Sequence, residues 1–104
     1  LAFARYYWDP LPGRRAQKVL HFEGLHDGYS PDAASEALAV ALRLGPALPL
    51  VRPIWGLSLL AAAPPSDRRI AQIAPTQGED GHFVLYHAPA ASEAFRDFLR
   101  SAAP

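Results

Sequence analysis

The sequence predicts an α/β fold, and three observations predict it. Residues 18–23 form a run rich in β-branched and aromatic side chains, which passes through a glycine-bounded turn into an alanine-rich segment with helical spacing. A second strand-like run, Arg68–Pro75, follows a long proline-broken stretch, and an amphipathic segment closes the chain beyond Pro89. Strand, helix, excursion, strand, helix is the order of part of an α/β sheet, not of an all-α or all-β domain.

Taken in order, Leu1 to Trp8 reads as the last turns of a helix, stopped by Asp9-Pro10 and by the turn signature Pro12-Gly13. Arg14, Arg15 and Lys18 form a small basic cluster beside that turn and read as solvated surface. The strand at 18–23 takes its character from Val19, Leu20 and Phe22, and Gly24 with Gly28 marks a tight turn that displays Asp27. Ser30 reads as an N-cap and Pro31 as the first helical residue. From Pro31 to Leu44, Ala34, Leu38, Ala41 and Leu42 share one narrow face suited to close approach to a sheet, and Gly45-Pro46 reads as the stop.

Residues 46–66 contain Pro46, Pro49, Pro53, Pro64 and Pro65, which forbid a long helix, yet Leu50, Ile54, Trp55 and Leu57 are too apolar for a simple surface loop. The stretch reads as a buried excursion with room for a short strand. Such an apolar segment either completes the core or lines an acyl pocket, and Trp55 and Leu57 are its candidate ligand-contacting residues. Beyond the strand at Arg68–Pro75, a turn-rich loop at 76–81 delivers His82. Ser92 is placed to cap the last helix, with Phe95, Phe98 and Leu99 as its inward stripe and Arg96, Asp97 and Arg100 turned to water.

The 104 residues suffice for one small domain, and the opening at Leu1, directly in an aromatic run, reads as a fragment. Lys+Arg and Asp+Glu balance at 10 each, so no electrostatic bias favours nucleic acid or an acidic membrane as a partner. With no cysteine, disulfides and thiolate metal sites are excluded, although the compartment stays undetermined. No apolar run approaches the roughly 18 residues of a transmembrane span. His21, His26 and His87 show neither H-x-H nor H-E-x-x-H spacing, so neither metal nor cofactor is expected.

Chemistry concentrates at two turns. In parallel α/β sheets, reactive groups collect beyond the carboxyl ends of strands, which is where Asp27 falls. An aspartate in a Gly-x-x-Asp-Gly turn also serves simply to hydrogen-bond its own backbone. His82 sits in the loop after the second strand, with Glu79 and Asp80 beside it reading as solvated carboxylates. His26 adjoins Asp27 and is a candidate for lining the site. Glu23 is an alternative strand-end acid, and His21 reads as packed within the strand.

Gly24-Leu-His-Asp27-Gly-Tyr-Ser-Pro31 after one strand and Asp80-Gly-His82-Phe-Val after the next, followed by an amphipathic helix, resemble the C-terminal portion of an α/β-hydrolase. The likeness is to bacterial esterase-like or lipase-like members and covers essentially the whole chain. It implies two parallel strands with flanking helices across residues 1–104, taken as one partial domain. It implies a Ser-Asp-His triad in which Asp27 is the acid and His82 the base, acting on a small ester or lipid substrate. Gly56-Leu-Ser58-Leu-Leu60 lacks the second glycine of the G-x-S-x-G elbow and lies after the acid, so the resemblance implies a nucleophile upstream, on an N-terminal half not present in this chain. A catalytically inactive, hydrolase-like binding domain and a self-standing α/β module are the rival expectations.

Overall fold

The computed structural model describes residues 2–47, 49–57 and 67–103. Three parallel strands, β1 (Val19–Gly24), β2 (Gly45–Pro46) and β3 (Arg68–Ile73), form a sheet in the order β1-β3-β2. Among the described residues three α-helices accompany it: α1 (Asp32–Ala41), α2 (Val84–His87) and α3 (Pro89–Ala102). The fold is therefore α/β with a parallel sheet, and it carries one strand more than the two expected.

Parallel pairing demands a crossover, and α1 lies within the one that joins β1 to β3. The register runs from Val19 opposite Arg68 to Gly24 opposite Ile73, while Gly45 and Pro46 lie opposite Arg69 and Ile70 on the other side of β3. As the middle strand, β3 has three consecutive buried residues, Ile70, Ala71 and Gln72, with Ile70 fully enclosed. Proline can join this ladder because it sits in a two-residue strand at the sheet's edge.

Pleating sends residues three apart to opposite faces, and the core divides accordingly. On one face, Ile70 and Val19 pack with Ala39 from α1, Leu42 and Leu44 from the turn after it, and Ile54 and Leu57 from the excursion. On the other, Phe22 and Ile73 pack with Val84, Ala88 and Ala91 from α2 and α3. The face of α1 that meets the sheet is rotated from the expected one: Ala39 is fully buried and Leu42 is buried, whereas Ala34 is exposed.

Several boundaries differ from expectation. The opening segment is a 3-10 turn at Ala4–Tyr7, tied to the end of α1 where Trp8 Nε1 donates to Ala41 O at 3.0 Å and the Arg43 guanidinium lies 3.7 Å from the Trp8 ring centre. Helix α1 begins at Asp32 with extended Pro31 as its cap residue, so Ser30 makes no capping bond. It ends at Ala41, ahead of Gly45-Pro46, through a left-handed Arg43 (φ +51°). Helix α3 starts at Pro89, so Ser92 lies inside it and its hydroxyl donates to Leu85 O at 2.9 Å. The α3 stripe is also corrected: small Ala91 is the fully buried residue, while Phe95 and Leu99 are exposed. The upper part of the excursion, including Ser58, lies outside the described residues.

Candidate functional site

Both turns singled out in the sequence leave the carboxyl ends of adjacent parallel strands. The Asp27 turn follows β1, and the His82 turn follows β3 and a short loop. Their backbones touch. A Cβ on Gly81 would lie 2.8 Å from the Gly24 carbonyl atoms and closer still to Leu25 O, while one on Gly24 would collide with Gly81 O. Only glycine at both positions permits this approach. The ladder continues into the turn, with Leu25 N donating to Ile73 O at 2.9 Å, and His26 takes up the left-handed region (φ +59°) that bends the chain toward the 3-10 turn at Gly81–Phe83.

Asp80 fastens the two turns together. Its Oδ1 accepts the amide of His82 at 2.8 Å as the cap of that 3-10 turn, and both its oxygens accept the amide of Gly28, at 3.0 and 3.1 Å. Asp80 is thus a structural bridge across 52 residues, not the solvated loop carboxylate that its neighbours suggest. The contact that reveals this joins residues far apart in sequence, and only Asp80's position before a turn hints at capping.

Asp27 makes contacts with both of its oxygens. Oδ1 accepts the amides of Tyr29 at 2.7 Å and Ser30 at 2.8 Å, and Oδ2 faces His82 Nδ1 at 3.2 Å. Burial pushes the Asp27 carboxyl upward, but the Ser30 and Tyr29 amides together with His82 outweigh it and hold the group below its ordinary range. An ionised Asp27 only accepts, so His82 Nδ1 carries the proton and Nε2 is left as the acceptor nitrogen. The imidazole, 42% exposed, is flanked by Tyr29 with ring centres 4.7 Å apart and by Phe83 at 5.1 Å. These rings restrict its rotation. A cavity of about 430 Å³ adjoins the pair, with Phe22, Leu38, Val84 and Leu85 among its apolar walls.

The remaining candidates fall elsewhere. Exposed His26, Trp55 (88% exposed) and core-buried Leu57 are not among the residues lining that cavity, and Leu57 packs with the α1 side of the core. His87 pairs with Glu79 at 3.1 Å at the far end of the loop. Among the described residues no group of three or more metal-ligating side chains is arranged to hold a metal ion, and no helix is long and apolar enough to cross a membrane.

A buried polar network beside the cavity escaped the sequence reading. Glu23, 2% exposed, receives Arg52 at 2.9 Å and Gln72 Nε2 at 2.9 Å, and the same guanidinium nitrogen reaches Asp32 at 2.8 Å and Glu36 at 2.9 Å. Gln72 Oε1 accepts the amides of Val51 and Arg52 at 2.8 and 3.0 Å, pinning the excursion to β3. The hydrogen bonds that Arg52 donates to Glu23 and Asp32 hold it more firmly protonated than usual, and burial followed by the hydrogen bond and charge of Glu23 raises Glu36. Glu23 is therefore occupied by structural contacts with Arg52 and Gln72. Its signal in the sequence was a glutamate beside Phe22 near the end of the strand.

The fold and the paired side chains define a class: an α/β protein with an oriented carboxylate–imidazole pair at the ends of neighbouring parallel strands. No protein-family model, curated protein or solved structure matches this chain.

Proposed function

We propose that this chain is the C-terminal portion of an α/β-hydrolase and supplies the acid and histidine of a Ser-Asp-His triad that cleaves carboxylic esters through an acyl-enzyme. The observation that carries the reading is the 3.2 Å approach of His82 Nδ1 to Asp27 Oδ2 across adjacent strand ends. Asp27 fixes the tautomer and stabilises the imidazolium, and His82 Nε2 takes the nucleophile's proton and returns it to the leaving alcohol. The chain has no G-x-S-x-G, so the attacking serine comes from a segment outside these residues. Apolar walls at Phe22, Leu38, Val84 and Leu85 suit a small ester or lipid acyl chain.

The test is hydrolysis of p-nitrophenyl esters by the protein that carries this chain. His82→Ala abolishes turnover, and Asp27→Asn lowers kcat by about 10⁴-fold while the protein stays folded. Full turnover in either variant removes that residue from the triad and the reading with it.

A further inference from the structure

The wall of the same cavity holds a second pair of reactive side chains. His21 on β1 and Ser35 in α1 both line it, and His21 Nε2 lies 2.6 Å from Ser35 Oγ. That spacing is the nucleophile-to-base distance of a serine hydrolase. Burial lowers the His21 pKa against the opposing pull of the Glu23 carboxylate, so the ring is neutral at pH 7 and able to accept a proton. Both side chains are half-buried, in reach of a small molecule held against Leu38.

We propose that Ser35 is a nucleophile in its own right, with His21 as its base, and that it takes up the acyl group of small activated carboxylic esters admitted to this cavity. Ser35 Oγ attacks the ester carbonyl carbon while His21 Nε2 takes the Oγ proton. The Oγ–acyl bond forms, the carbonyl–alkoxide bond breaks, and the departing alkoxide leaves as the alcohol with the proton from His21. Water then releases the acid by the same steps, with His21 again the base. Activated esters are the natural donors because their leaving groups depart readily. This inference is independent of the Asp27–His82 reading. The triad needs a serine from elsewhere, whereas the Ser35 adduct forms on these 104 residues alone, so either idea can fail without the other.

The probe is an alkyl fluorophosphonate, applied to the full 104-residue chain at pH 7.5 after circular dichroism has established that it is folded. Attack forms an Oγ–phosphorus bond and expels fluoride, and peptide mass spectrometry locates the adduct. The expected result is one phosphonyl group on Ser35, absent from Ser35→Ala. In His21→Gln, which keeps a hydrogen-bonding side chain without a basic ring, the labelling rate falls about 100-fold, the scale of general-base assistance. His21→Asn is the second non-basic variant, and circular dichroism checks that each is folded. An unlabelled native chain, an adduct on Ser30 or another residue instead, or undiminished labelling in a folded His21 variant would each overturn the proposal.

Discussion

Replacing Gly81 by alanine tests the assembly of the two turns at its tightest point. The added Cβ would lie 2.8 Å from the Gly24 carbonyl atoms, 0.6 Å short of the 3.4 Å at which ordinary contact begins, and nearer still to Leu25 O. Neither neighbour can swing aside, because both belong to the backbone at the end of β1. Overpacking of this kind costs about 2 to 4 kcal/mol, at and above the usual range because the obstacle is main chain. For a domain of this size that corresponds to a fall in Tm of about 10 to 25 °C. Two glycines calibrate the measurement. Gly78→Ala meets nothing within 4 Å and carries only the penalty of φ +83°, about 1 kcal/mol. Gly28→Ala meets Asp80 Oδ2 at 2.6 Å, a side-chain atom that yields only by giving up hydrogen bonds to the Gly28 and His82 amides, and falls between the two. Thermal and urea unfolding of the three variants give the order directly. Were Gly81→Ala no more destabilised than Gly78→Ala, the close passage of the two turns would be wrong, and the Asp27–His82 geometry would lose its support.

Other perturbations address the remaining parts of the site. Asp80→Ala removes the acceptor for two backbone amides and costs about 2 kcal/mol, whereas Asp80→Asn keeps the oxygen that serves both and costs about half as much; equal urea midpoints for the two would dismiss the bridging role. Asp27 is depressed below its ordinary 3.8, so its stabilisation is complete above about pH 4 and is lost as pH falls through the lower folded value. Glu36 is raised above its ordinary 4.5 and acts with opposite sign: stability declines as pH rises from 4.5 through the folded value, and Glu36→Gln removes that decline in unfolding curves taken from pH 3 to 8. Arg52→Met leaves Glu23 buried without its cation and costs about 3 kcal/mol, with partial recovery in the Glu23→Gln double variant; additive effects would show that the pair does not interact.

The parts of the fold legible in the sequence are those whose signal is local. The strand at β1 declared itself through Val19, Leu20 and Phe22, α1 through its alanine and leucine spacing, and the Asp27 turn through its glycines. Asp27 and His82 were legible as a pair because each occupies a turn immediately beyond a strand, and parallel pairing then brings those turns together. What stayed hidden depends on tertiary contact. Pro46 is a helix stop by local chemistry and an edge-strand residue only because β3 lies beside it. The Phe95 and Leu99 stripe has the right spacing for a core, yet Ala88 and Ala91 make the close contact with α2's Val84 and leave the larger side chains outside. Arg52, Gln72 and Glu23 meet across 20 to 49 residues, a distance no periodicity reports.

The central claim is that Asp27 orients His82, and the tautomer of that imidazole tests it most directly. In the isotopically labelled chain at neutral pH, nitrogen chemical shifts of the His82 ring, read through their couplings to the ring carbon-bound protons, distinguish a protonated Nδ1 from a protonated Nε2. The account predicts the Nδ1–H form in the wild type, pointing to Asp27 Oδ2, and loss of that preference in Asp27→Ala. A wild-type His82 protonated on Nε2, or a tautomer indifferent to the loss of Asp27, would contradict it.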